Sequence, residues 1–184
     1  MSKCLSLFLF LFFCLPWLGH AQTKEKGFFV EFNAGHAHTD FLDNDGKYVN
    51  LSPRIGYRFN TDWAVGLKFN GEAKNDFAYR TYGGYAQYTF FRKSVFNIFA
   101  EGEVTYSKDT DADIFGLYGT DYVEAGISFG ASCALNRHFS LLVRYLYIGY
   151  SDSRRVHEGA CLGDHKFIVD ANMARLMFGV QYIF

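Results

Sequence analysis

The chain has 184 residues, 20% of them aromatic, with 21 Phe, 13 Tyr, 18 Gly and only 2 Pro. Its formal charge of −1 excludes the basic footprint that nucleic-acid binding needs. No apolar run after the first 18 residues approaches the roughly 20 residues of a spanning helix, so a helical membrane protein is excluded as well.

Lys3 is followed by an apolar run from Cys4 to Leu18 and then by Gly19-His20-Ala21. A short basic region, a hydrophobic stretch and a small-x-small site form the pattern of a secretory signal peptide. We therefore expect residues 1–21 to be cleaved and residues 22–184 to form a single domain. Phe13 stands before Cys14, where a lipid-attachment site needs a small residue. Cys4 and Cys14 leave with the signal. The remaining Cys133 and Cys161 are not a disulfide framework.

The rest of the chain alternates with period two, the signature of strands. Eight segments follow one another. Residues 27–39 carry Phe28, Val30, Phe32 and Ala34 on one face. Residues 47–60 carry Val49, Leu51, Pro53, Ile55, Tyr57 and Phe59. Residues 62–73 carry Trp63, Val65, Leu67 and Phe69, and residues 77–91 carry Tyr82, Gly84, Ala86, Tyr88 and Phe90. Residues 95–107 carry Phe96, Ile98, Ala100, Gly102, Val104 and Tyr106. Residues 120–135 carry Val123, Ala125, Ile127, Phe129, Ala131, Cys133 and Leu135. Residues 139–150 carry Phe139, Leu141, Val143, Tyr145 and Tyr147. Residues 170–184 close the chain with Ala174, Leu176, Phe178, Val180, Tyr182 and Phe184.

None of these apolar sets contains a charge. The opposite faces are assigned Arg54, Arg58, Lys68, Arg80, Arg144 and Arg175, with Glu31, Glu72, Glu101, Glu103 and Glu124. An outward Lys or Arg at a bilayer midplane costs about 2–4 kcal/mol, so a lipid-facing wall excludes charge while a lumen can hold it. Buried charges must be paired or cost several kcal/mol each. The near balance of signs predicts a lumen filled by ion pairs. A soluble barrel or sandwich would show the same period with inside and outside exchanged.

Three features favour the membrane version. The connections at Asn60-Thr61-Asp62, Arg92-Lys93-Ser94 and Asn136-Arg137-His138 are short. They alternate with longer polar ones near 40–46, 74–76, 108–119 and 151–169, which matches short turns at one end of a barrel and long loops at the other. Phe59, Trp63, Phe91, Phe96, Phe139 and Phe184 gather at the short-turn end, with Tyr106 and Tyr147 at the far ends of their strands, as aromatic girdles do at bilayer interfaces. An even strand count lets the last segment close on the first, leaving no free edge.

The stretch "NLSPRIGYRFNTDWAVGLKFN", Asn50 to Asn70, resembles the second hairpin of the small eight-stranded outer-membrane barrels, the OmpA-transmembrane-domain-like and OmpX-like group, and especially its Bacteroidetes versions. Leu176, Phe178, Val180, Tyr182 and Phe184 resemble the C-terminal signal read by the outer-membrane barrel assembly machinery. The resemblance implies a closed, eight-stranded, antiparallel, up-and-down transmembrane β-barrel with periplasmic termini and turns and extracellular loops. It implies outer-membrane lipid and lipopolysaccharide as surroundings, and the assembly machinery as a partner. Its members include adhesins, structural barrels and a few lipid-modifying enzymes, so function must come from the residues.

Those residues carry little chemistry. The stretch "YIGYSDSRRVHEG" holds Ser151, Ser153, His157 and Glu158, but not the His-x-Ser pattern of a lipid A deacylase. His157, Cys161 and His165 lie in the last loop, and His36 and His38 share a face near the outer end of the first segment. Imidazole and thiolate suit zinc or copper. Asp109, Asp111 and Asp113 resemble half a calcium loop, but Ile114 stands where glycine is needed and Thr120 where a bidentate Glu belongs. We expect no cofactor and no catalytic residue, with Tyr118 and Tyr122 among the loop contacts for any extracellular ligand. The alternatives are an outer-membrane lipid-modifying enzyme and a narrow channel. Pro53 predicts a bulge or break in the second strand. Leu142, Leu146 and Ile148 make both faces of the seventh segment apolar and leave its phase open. Cys133 and Cys161 are expected at opposite ends of the barrel, too far apart for a disulfide.

Overall fold

The computed structural model describes residues 24–39, 46–73, 78–109, 121–151, 161–162, 167–171 and 175–184. They form an all-β closed barrel. Its strands are β1 (Gly27–Thr39), β2 (Gly46–Arg58), β3 (Trp63–Ala73), β4 (Ala78–Lys93), β5 (Phe96–Asp109), β6 (Tyr122–Ala134), β7 (Phe139–Ser151), β8 (Cys161–Leu162), β9 (Phe167–Asp170) and β10 (Met177–Ile183). Neighbours pair antiparallel in chain order from β1 to β7, and β10 pairs with both β1 and β7 to close the wall. The first seven segments read from the sequence match β1 to β7 within two residues at each end.

The eighth wall strand departs from the expected continuous run over 170–184. Its short-turn half is β10, joined to β7 from Met177↔Arg144 to Tyr182↔Phe139. Its long-loop half is β9, joined to β7 from Tyr147↔Asp170 to Tyr150↔Phe167, with β8 added outside it. Arg175 and Asp170 are both drawn into the lumen at this break, and their ion pair is described below.

β1 to β7, of 11 to 16 residues each, are long enough to cross hydrocarbon, because a tilted transmembrane strand needs roughly 9–11 residues. The outward faces are apolar as expected: Leu67 is 56% exposed and Val104 61%, with Ile55, Val65 and Phe178 beside them. Arg54, Lys68, Glu101, Glu103, Glu124 and Arg144 are buried inside.

Two assignments change. Arg80 is exposed and shares the outward parity of Tyr82, where it lies opposite Lys108 near the long-loop end of the wall. It is not a lumen charge. Tyr147 is 1% exposed and points inward. A bulge places Leu146 between the pairs Ser128↔Tyr147 and Phe129↔Tyr145, and Leu146 takes φ 61°. The extra residue reverses which side chains face in, because strand side chains alternate with period two. Tyr145 therefore faces out below the bulge, and Tyr147 faces in above it. The bulge accounts for Leu146 and Ile148 in the doubly apolar seventh segment, while Leu142 is an apolar residue on the inward face.

Pro53 breaks one ladder without shifting it. Its pairing with β1 is unbroken, but the β2–β3 ladder passes from Leu51↔Gly71 to Arg54↔Lys68 with Ser52 and Pro53 unpaired. A proline has no N–H to give the ladder. Two of the tight turns use one device: Asn60 Oδ1 accepts from the N–H groups of Asp62 and Trp63, and Asn136 Oδ1 from those of His138 and Phe139, all at 2.8 Å. Such side-chain mimicry of a backbone turn favours asparagine there. Glu72 belongs to β3, and the placement of its side chain lies outside the described residues.

Candidate functional site in the barrel lumen

Strand parity alone places the lumen's central charges. Glu31 on β1 sits opposite both Arg54 on β2 and Gln181 on β10. Glu101 on β5 and Arg144 on β7 reach the same level from across the barrel. Arg144 Nη1 lies 2.7 Å from Glu31 Oε1, and its Nε donates to Glu101 Oε2 at 3.2 Å. Arg54 Nη1 donates to the other Glu101 oxygen at 2.5 Å, and its Nε lies 3.7 Å from Glu31. Two cations and two anions thus bridge opposite walls with no net charge.

Neutral groups fill the remaining hydrogen-bond positions. Asn33 Nδ2 donates to Glu31 Oε1 at 2.7 Å and to the Ser52 carbonyl at 3.1 Å, while its Oδ1 accepts from Arg144 at 2.9 Å. Gln181 Nε2 donates to Glu31 Oε2 at 3.1 Å, and its own Oε1 accepts from Arg58 Nη2 at 2.9 Å. The guanidinium of Arg54 lies 5.1 Å from the Tyr85 ring, and that of Arg144 lies 5.1 Å from Phe99. Glu101 is 0% exposed, so its carboxylate is held away from bulk solvent.

Below the ions, Phe29, Ala64, Tyr85 and Ile183 form an apolar seal at the short-turn end. Gly56 faces Phe29 across the β1–β2 ladder, and Gly130 faces Phe99 across β5–β6. A Cβ on either glycine would overlap the facing ring. Glycine is required here because the rings lie flat against neighbouring backbone. These inward aromatics were not anticipated from the sequence. Their signal was a ring paired with a glycine on the polar face of adjacent strands.

Two smaller ion clusters lie toward the long loops. Lys68 on β3 pairs with Glu103 on β5. Arg175 grips Glu124 through two hydrogen bonds, at 2.7 and 3.2 Å, and donates to Asp170 at 2.7 Å. Ser151 donates to Glu124 at 3.1 Å, and the Arg175 guanidinium lies 4.8 Å from the Tyr147 ring. Arg175 thereby ties β6 to the end of β9, where the eighth wall strand is interrupted.

The geometry brings the predicted lumen charges together, apart from Arg80 and the undescribed Glu72 side chain. Of the candidate catalytic group, Ser151 is described and bonds Glu124. Ser153, His157 and Glu158 lie outside the described residues. So do His165, Asp111, Asp113, Ile114, Tyr118 and Thr120, and the side chains of His36, His38, Asp109 and Cys161. Tyr122 begins β6. Among the described residues no group of His, Cys, Asp and Glu converges as a metal site. Cys133 is a free thiol near the short-turn end of β6.

The family model for the outer membrane protein beta-barrel domain matches residues 5–184. The chain belongs to this family. It is an integral outer-membrane protein. Neisserial surface protein A is similar to it in structure, with a TM-score of 0.61 and 19% identity over 86% of this chain and 97% of that one. The N-terminal β-barrel domain of Pseudomonas aeruginosa OprF has a TM-score of 0.58 and 13% identity, covering 89% of this chain and all of that one. At these identities the likeness shows the fold alone. No curated protein matches the chain.

Proposed function

We propose that this barrel is a non-enzymatic structural and surface-interaction protein whose lumen conducts neither ions nor solutes. The observation that carries this reading is the fully buried bridge Glu31–Arg144–Glu101–Arg54, which crosses the lumen above an apolar seal. A solute passing through would have to separate charges whose desolvation is repaid only by one another. Binding then falls to the long loops, and the wall to lipid and lipopolysaccharide. β1 begins and β10 ends at the short-turn end, so in this reading both termini face the periplasm. The apolar alternation of β10 suits recognition by the assembly machinery.

Planar bilayers test the occlusion. The refolded protein is expected to give no step currents under voltages that open a porin. A reproducible ohmic conductance from the folded, heat-modifiable species would contradict the sealed lumen and restore the narrow-channel reading.

A further inference from the structure

The short-turn end of the barrel carries an excess of positive charge. At the short-turn end Lys24, Lys26, Arg92, Lys93 and Arg137 are exposed, against the acidic Glu25 and Asp62. Arg92 lies 3.2 Å from Asp62, and Lys24 Nζ donates to the Phe184 carbonyl at 2.7 Å. Lys26, Lys93 and Arg137 make no ion pair among the described residues.

Lys26, Lys93 and Arg137 border the aromatic belt. Lys93 is the cross-strand partner of the exposed Phe96. Arg137 lies in the turn that leads into the exposed Phe139, and its carbonyl accepts from the Lys24 N–H at 3.0 Å. That bond brings the segment carrying Lys26 over the same turn. Aromatic belts lie at headgroup depth, so cations bordering them meet phosphates rather than acyl chains. Basic residues near an anionic membrane surface each attract it by about 1 kcal/mol.

We infer that the short-turn rim is a binding surface for the phosphates of anionic glycerophospholipids, held by Lys26, Lys93 and Arg137 beneath the aromatic belt. The inference rests on the transmembrane reading of the barrel.

Native mass spectrometry from micelles with equal amounts of phosphatidylglycerol and phosphatidylcholine tests it. The parent protein is expected to retain phosphatidylglycerol at least about fivefold over phosphatidylcholine, the factor that the attraction of about 1 kcal/mol from even one basic residue gives. The triple variant Lys26→Gln, Lys93→Gln, Arg137→Gln is expected to lose that preference while still migrating as a heat-modifiable barrel. The double variant Arg80→Gln, Lys108→Gln, at the far end, is expected to keep it. Equal retention of both lipids by the parent, or an undiminished preference in the triple variant, overturns the rim. Loss of the preference only in the far-end variant moves the site and overturns it too. Failure of the parent to retain either lipid speaks against the transmembrane reading itself, and the rim falls with it.

Discussion

Replacing Arg144 with alanine is expected to destabilise the barrel by about 3–5 kcal/mol, the cost of breaking a buried ion pair from one side. Arg144 contacts Glu31, Glu101 and Asn33, so its loss leaves two buried carboxylates facing the single guanidinium of Arg54. Urea unfolding in lipid vesicles, followed by gel mobility without heating, gives the difference. The effect should shrink when Glu31→Gln is added, because Arg54 and Glu101 then remain as a neutral pair. That recovery separates an electrostatic cost from a packing cost, since the cavity left by arginine is common to both variants. A loss below about 1 kcal/mol for Arg144→Ala would place the pair in the class of exposed salt bridges and remove the argument for occlusion.

Arginine in place of Leu67 is expected to cost about 2–4 kcal/mol, and in place of Phe28 only about 0–1 kcal/mol. Leu67 lies mid-strand, between Ile55 and Gly84 on the outer wall. Phe28 lies at the short-turn edge beside Tyr57. The adjacent Lys68 shows that charge is excluded by side, not by strand position: one residue away it is buried and paired with Glu103. The same unfolding measurement in vesicles reads both variants. Equal costs at Leu67 and Phe28 would mean that the wall does not sense membrane depth.

Most of the fold was legible because one face of every strand must meet hydrocarbon, and that requirement writes itself into alternate residues. Val65, Leu67 and Phe69 on β3, with Lys68 between them, show the rule at its plainest. It failed where parity changes inside a segment. The bulge at Leu146 has no composition of its own, since leucine is ordinary in a strand, and only the doubled apolar face betrayed it. Arg80 shares the parity of Tyr82, and its assignment to the lumen broke the alternation that placed every other charge. It can face outward because it lies near the long-loop end of β4, toward the bilayer edge rather than its centre. Asp170 gave a warning of the opposite kind: an acid on the apolar parity of the last segment marks where β9 ends and the wall strand is interrupted. The lumen's ionic members were readable, but their partners were not, because Arg144 and Glu101 meet across the barrel and no local spacing encodes that approach. The flat aromatic seal was missed for the same reason.

The central claim is that odd-numbered residues of β3 touch lipid while even-numbered ones are shielded inside. Nitroxide labels placed singly at positions 64, 65, 67, 68 and 69, in a chain whose own cysteines are replaced by serine, test it through collision with oxygen and with a water-soluble nickel complex. The account predicts high oxygen and low nickel accessibility at positions 65, 67 and 69, and low accessibility to both at 64 and 68. High nickel accessibility at 65, 67 and 69, or no alternation at all, would contradict it.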